Sequence, residues 1–324
     1  MAETIYTYSD RPHRPAAASD WPSVVLIVPT FRRPDGLRKL LTHVGALAYH
    51  GKLSVIVIDN DAEARAGAAI VTAMAPGFGL PLRCIIEPRR GQTHAYNTGF
   101  CAAARAMPRP DYIAVLDDDE YPDRAWLSRM VAIARHLDAD IVGGPVLPAF
   151  EDPSHWLAKS GLYAPKRFAT GRVNMIYGAG SMLAKRSVIE DYLDEPFSHA
   201  FAFTGGSDLE FFARCHTDRR TFAWADTAIV FETTPRARTT LAWLLRRNFR
   251  KGSERVRIDR LAPAPLGKLI LRWLRGPALV GIGILALPFA ALFGRSAIVR
   301  HLSRIARGAG RIAGEFDFAI NEYR

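Results

Sequence analysis

Four carboxylates stand in a row at Asp117, Asp118, Asp119 and Glu120, directly after the apolar run YIAVL at 112–116. Adjacent like charges repel, so the cluster is either a solvated acidic turn or a seat for a cation. A hard divalent ion takes oxygen ligands and makes crowded carboxylates favourable. The spacing Asp117-x-Asp119 suits Mg²⁺ held by one or two carboxylates, with substrate phosphates completing the shell. A second stretch, Thr204-Gly205-Gly206-Ser207-Asp208, places a carboxylate behind two glycines at a predicted helix start. Either Ser207 or Asp208 caps that helix, or Asp208 serves as a general base for a hydroxyl in a glycine-shaped pocket. Arg246, Arg247 and Arg250 share one side of a predicted helix, where guanidinium forks suit phosphate oxygens, or alternatively a solvated or membrane-facing surface. Arg89-Arg90-Gly91-Gln92 with Asn97 helps hold a nucleotide, or is a helix N-terminal turn with exposed arginines.

The elements around these residues decide between the readings. Apolar runs at 23–28, 53–58, 82–86, 112–116 and 140–144 alternate with helical patterns at 35–47, 62–74, 92–106 and 123–136. Asp123 is the expected N-cap of the last of these. Strands apolar on both faces, alternating with helices, imply a mostly parallel sheet covered on both sides. Such sheets bind ligands at the carboxyl ends of their strands. Thr30, Asp59, Asp61 and Asp117 to Asp119 all fall at that edge, and surface acids with no shared task would not sort themselves there. Residues 150–175 read as loop, 176–184 as a strand, 186–193 and the segment from Ser207 as helices, and 239–251 as an amphipathic helix.

The chain has 324 residues, of which 49% are apolar, and a formal net charge of +11. Its three cysteines, Cys84, Cys101 and Cys215, show no paired spacing, which argues against a disulfide framework or a zinc site. Residues 1–22 read as a polar leader without the pattern of a secretory signal. Between Arg236 and Arg311 seventeen Lys and Arg face two acids, around the uncharged run 276–294. That run approaches the ~20 residues needed to span a bilayer. Arg272 and Arg275 precede it and Arg295 and Arg300 follow, so charge on both flanks favours an interfacial or re-entrant helix pair over a simple crossing. Membrane surface outranks nucleic acid as the partner of this block, because the tail lacks interleaved aromatics and any nucleic-acid module. Gly308-Ala-Gly310 follows no strand and fails as a dinucleotide fingerprint, and there is no phosphate-loop, His-pair or nucleophile-elbow motif.

Taken in order, VVLIVPTFRRPDGL (24–37), VIVIDNDA (55–62), VLDDDEYPDRAWL (115–127), GAGSMLAKR (178–186), GGSDLEFFARC (205–215) and LAWLLRRNFRKG (241–252) resemble a family 2 glycosyltransferase of GT-A fold. The match is most similar to exopolysaccharide glucosyltransferases of the succinoglycan type. The resemblance implies a Rossmann-like α/β domain over 23–255; the charge and apolar pattern adds a basic, apolar, helical, membrane-associating region over 256–324. It implies that Thr30 and Asp59 contact the base and ribose of a nucleoside diphosphate, that Asp117 lies near the ribose or sugar, and that Asp119, with Asp117, holds Mg²⁺ or Mn²⁺. Arg32, Asn97, Asp118, Arg247 and Arg250 are further candidates for holding the nucleotide, and Asp208 would be the base of an inverting displacement. The expected donor is a UDP-sugar. A membrane-bound tail beside a sugar-transfer site points to a lipid-linked acceptor such as a polyprenyl-linked saccharide, and cytosolic nucleotide sugars put the expected catalytic domain at the cytoplasmic face of the membrane. Two positions depart from the family pattern. Ser207 stands before the presumed base where relatives commonly have Glu. Phe231 stands before Glu232 where relatives often have a metal-ligating His. Those departures keep open a non-catalytic membrane scaffold. A nucleotidyltransferase is disfavoured, because the first loop PTFRRPDG has no glycine-rich, Lys-bearing phosphate loop.

Overall fold

The structure, a computed structural model, describes residues 5–8 as backbone, and residues 21–202, 205–260 and 265–318. Most of the leader, Thr204 of the glycine motif and residues 261–264 of the tail lie outside the described residues. Two compact units emerge: 1–147 with 165–202 and 207–232, and 148–164 with 203–206 and 233–324.

The first unit is built on a nine-stranded sheet. Its strands are β1 (Ile5–Tyr8), β2 (Val24–Thr30), β3 (Leu53–Asp59), β4 (Leu82–Ile86), β5 (Tyr112–Val115), β7 (Ile141–Gly143), β9 (Gly171–Val173), β10 (Met182–Lys185) and β11 (Phe222–Trp224). The spatial order is β1-β4-β3-β2-β5-β10-β7-β11-β9. β4, β3, β2 and β5 are parallel in register, β11 is parallel to β7, and β1, β10 and β9 run against their neighbours. Elsewhere β6 (Glu120–Pro122) pairs antiparallel with the start of β12 (Val230–Thr234), and β8 covers Val146–Phe150.

Alternation along the central strands divides the core between the two faces. Val24, Leu26 and Val28 pack with helices α1 (Pro34–Gly45), α2 (Ala66–Met74) and α4 (Trp126–His136). Val25 and Ile27 pack with α3 (Gln92–Ala104), α5 (Arg186–Glu190) and α6 (Ser207–Thr217). Every residue of β2 is buried, which is why a strand so apolar can exist: both faces are covered. The expected mostly parallel sheet with helices on both faces is therefore the fold observed.

Several local expectations are corrected. Ile5–Tyr8, inside the expected leader, forms edge strand β1. The strand expected over 176–184 begins only at Met182, and the expected loop 150–175 contains β9. Asp123 does not cap α4. Its Oδ1 accepts the N–H of Ala125 at 3.0 Å, closing a turn before a helix that starts at Trp126. In the second unit, α7 (Leu241–Asp259) is capped by Thr240, whose Oγ1 accepts from Trp243 N at 3.2 Å. It is followed by α8 (Leu266–Ala290) and α9 (Arg295–Glu315).

Candidate active site

The carboxyl ends of β2, β3 and β5 deliver Thr30, Asp59 and the acid run to one edge of the first unit. The four acids are then treated differently. Asp118 is nearly buried: its Oδ2 accepts the Thr30 hydroxyl at 3.0 Å and the Phe31 N–H at 3.2 Å, and its Oδ1 takes Arg33 Nη1 at 2.9 Å. The same guanidinium nitrogen lies 2.8 Å from Asp119 Oδ2. Burial works against the Arg33 cation, but Asp118 and Asp119 outweigh it and raise its pKa. Asp117 receives the Tyr96 hydroxyl, and burial, reinforced by the charge of Asp119, pushes its carboxyl up to about 7. Glu120 turns inward and accepts the Asp117 N–H at 2.9 Å. Burial and then Asp117 hold Glu120 well above the usual carboxylate range.

Two further acids join from other elements. Register pairs Glu232 of β12 directly opposite Glu120 of β6, a like-charge pair that is unfavourable unless a proton or cation intervenes. Asp208, in the first turn of α6, accepts the N–H of Leu209 at 2.7 Å, and its charge reaches Tyr96, the partner of Asp117. Phe231 pairs with Tyr121 and stacks on it at 5.4 Å between centroids, so the position open to a metal-ligating His is filled by an aromatic contact instead.

The other expected residues have partners of their own. Asp59 is fully buried, with Oδ1 accepting from Asp61 N at 3.0 Å and Oδ2 from Ala68 N at 2.9 Å. Its carboxylate ties β3 to the start of α2, an approach that Gly67 permits: a Cβ there would lie 2.7–2.9 Å from Thr30 and Asp59. Asn97 clamps the backbone of Phe197, donating to its carbonyl and accepting its N–H, each at 2.8 Å, so its amide is not directed at the acid cluster. Arg32 Nε pairs with Asp61 Oδ2 at 2.7 Å. Arg247 and Arg250 belong to the second unit, where Arg247 lies 5.1 Å over the Trp243 ring and Arg250 pairs with Glu254 at 3.0 Å.

Sequence reasoning missed Arg33, Tyr96 and Glu232 as members of the site. Two of them carried a signal: Arg33 closes the Pro-Thr-x-x-Arg pattern at 29–33, and Glu232 stands beside the departing Phe231. It also missed Gly180, where a Cβ would collide with the Glu120 carboxylate. Phe31 has Arg32 and Arg90 over its ring at 5.1 and 5.2 Å, giving the edge a cationic rim.

Among the described residues no three His, Cys, Asp or Glu side chains converge as a ready metal cage. The donor set still fits a hard divalent cation held by few protein ligands: it is all oxygen and crowded. One cationic nitrogen of Arg33 already sits between Asp118 and Asp119.

A sequence model of glycosyl transferase family 2 matches residues 25–193, from β2 through the acid run to the segment after α5. The chain belongs to glycosyl transferase family 2. It is 30% identical over 233 residues to the succinoglycan biosynthesis protein ExoM of Rhizobium meliloti (strain 1021), covering 71% of this chain and 72% of that one. The family assignment makes it a glycosyltransferase. In fold it is similar to the mannosyltransferase PcManGT of Pyrobaculum calidifontis, solved with GDP-Man and Mn²⁺, at TM-score 0.63 and 17% identity over 94% of this chain and 91% of that one. It is also similar to residues 1–349 of TarS of S. aureus, solved with UDP, at TM-score 0.52 and 11% identity over 91% and 92%. The glycosyltransferase fold expected from the motifs is thereby established.

Proposed function

We propose that the protein transfers a sugar from a nucleoside-diphosphate donor, a UDP-sugar, to a hydroxyl of a polyprenyl-linked saccharide, with inversion and with a divalent cation, in cell-surface polysaccharide biosynthesis at the cytoplasmic face of the membrane. The observation that carries this reading is the carboxylate run Asp117 to Glu120 at the end of β5, with Arg33 between Asp118 and Asp119 and Glu232 in register with Glu120. The resemblance to ExoM supports the polysaccharide pathway, and the nucleotide-bound relatives of like fold support the donor class.

In this reading Asp119, with Asp117 beside it, holds Mg²⁺ or Mn²⁺, which supplies Lewis-acid stabilisation of the leaving diphosphate. Thr30 and Phe31 N–H fix Asp118, Arg33 draws Asp118 and Asp119 together, and Tyr96 fixes Asp117, so the acids are preorganised before the donor arrives. Asp208 takes the proton of the acceptor hydroxyl as its oxygen bonds to the anomeric carbon, while the bond from that carbon to the donor phosphate breaks and its electron pair leaves with the diphosphate. Arg32 and the Arg90 rim add positive charge for the phosphates. A helix of the length and composition of a membrane span, Leu266–Phe293, supports an acceptor carried on lipid.

The deciding experiment is UDP binding by calorimetry with and without Mn²⁺, on wild type and Asp119→Ala. Binding that needs Mn²⁺ and is lost in the variant is expected. Binding indifferent to both would sink the proposal and leave an inherited fold acting as a scaffold.

A further inference from the structure

Helix α8 passes the tests of length and composition for a membrane span, yet the helix packed along it denies it that orientation. The α8–α9 pair is antiparallel, and its register is fixed at intervals along its whole length. Arg272 Nε pairs with Glu315 at 2.9 Å, and Trp273 meets Phe316 edge-on at 6.1 Å. Further along, a Cβ on Gly276 would lie 2.9 Å from Ile312, and one on Gly283 would lie 3.3 Å from the His301 carbonyl. The chain reverses at Gly294, whose φ of +85° suits glycine. On its other side α9 lies equally close to α7, where a Cβ on Gly314 would meet Ser253 at 3.0 Å.

Helix α9 carries two stripes. Arg300, Arg304, Arg307 and Arg311 recur at i, i+4, i+7 and i+11. Ile298, Leu302, Ile305 and Ile312 occupy the opposite side. If α8 crossed a bilayer, α9 would cross beside it, and its arginines would be spread through the hydrocarbon. Arg311 has Asp259 for a partner and Arg307 donates to Asn248 Oδ1 at 2.7 Å, but Arg300 is exposed, and an exposed cation in the hydrocarbon is strongly disfavoured. Laid flat, the same pair is well matched to a surface. The exposed Leu271, Leu274, Ile282, Leu285 and Phe289 of α8 can sink among acyl chains while the arginines stay at headgroup depth. Across 265–318 eight Lys and Arg face two acids, so the surface it fits is anionic.

We propose that the α8–α9 hairpin is a monotopic anchor lying in the plane of an anionic phospholipid leaflet, with both its ends and its Gly294 turn on one side of the membrane. The proposal deepens the membrane-surface part of the reading above, and its tests do not use donor binding or turnover, so the two can fail separately. In full-length protein lacking the native cysteines, Ser296→Cys marks the turn and Lys159→Cys marks a reference site on the second unit. With an impermeant maleimide on sealed membrane vesicles, both are expected to react from the same side. A turn reached only from the opposite side overturns the proposal. Should the cysteine-free background fail to accumulate, flotation of the native full-length chain with preformed vesicles decides. Partition into phosphatidylglycerol-containing vesicles is expected, falling roughly thirty-fold in Arg300→Gln/Arg304→Gln. Equal partition into pure phosphatidylcholine, or no loss in the variant, overturns it.

Discussion

Four consecutive carboxylates look equivalent in a sequence, and the fold makes them unequal. Asp118 and Asp119 share one guanidinium nitrogen, Asp117 is held by a phenol, and Glu120 faces inward against Glu232. Each residue then has its own expected response. Asp208→Asn should cut turnover by a factor of about 10²–10⁴, the usual worth of a positioned base, while UDP affinity by calorimetry stays at the wild-type value. Weakened UDP binding with matching loss of turnover would assign Asp208 to the donor instead. Glu120→Gln keeps the shape and can still accept the Asp117 N–H, yet removes one charge of a like pair. In metal-free buffer its melting temperature should equal or exceed that of wild type. Gly180→Ala drives a methyl group into the same carboxylate and should cost about 1–3 kcal/mol, the range for overpacking. A wild-type melting curve for Gly180→Ala would show that Glu120 is free to move.

At the scale of elements, what was legible followed from burial. The runs 24–30, 53–59, 82–86 and 112–115 are apolar because both faces of the sheet are covered, so their positions, and the polar residues at their ends, could be read without a structure. What was not legible depends on partners far along the chain. β10 runs antiparallel between β5 and β7, and the residues before it leave extended pairing so that Gly180 can pass the Glu120 carboxylate. β9 is a three-residue strand whose pairing to β11 leaves no periodicity to detect. Asn97 shows the same limit at a site. It sits on the helix after an arginine-rich loop, and this led to a nucleotide contact, whereas its amide bridges to Phe197, a hundred residues away. Asn97→Ala should therefore lower stability by about 1–3 kcal/mol in denaturant unfolding, the cost of stranding buried backbone groups. UDP affinity should change little, and a large loss of affinity at unchanged stability would restore the nucleotide role.

At the scale of the whole molecule the charges are segregated. Cations crowd the helices that follow Arg236, while the first unit concentrates carboxylates at one sheet edge. In cation-free buffer that edge makes global stability depend on pH in an unusual direction. Burial raises Asp117 from 3.8 to about 7 and lifts Glu120, Asp118 and Asp59 as well. Between the unfolded and folded values the native state binds more protons than the unfolded chain, so these groups make stability fall as pH rises. A divalent cation needs the deprotonated carboxylates and binds only the native arrangement, so its stabilisation should grow over the same window. Melting temperatures taken from about pH 5 to about pH 8, with EDTA or with Mn²⁺, should diverge steadily toward the alkaline end. Asp117→Asn removes the group whose pKa lies inside the window, so it should flatten the EDTA curve and shrink the divergence. An Mn²⁺ increment that is constant across the range, or that survives intact in Asp117→Asn, would mean the cation binds away from the end of β5, and the carboxylate row would then be an acidic edge held by Arg33, Thr30 and Tyr96 without a metal.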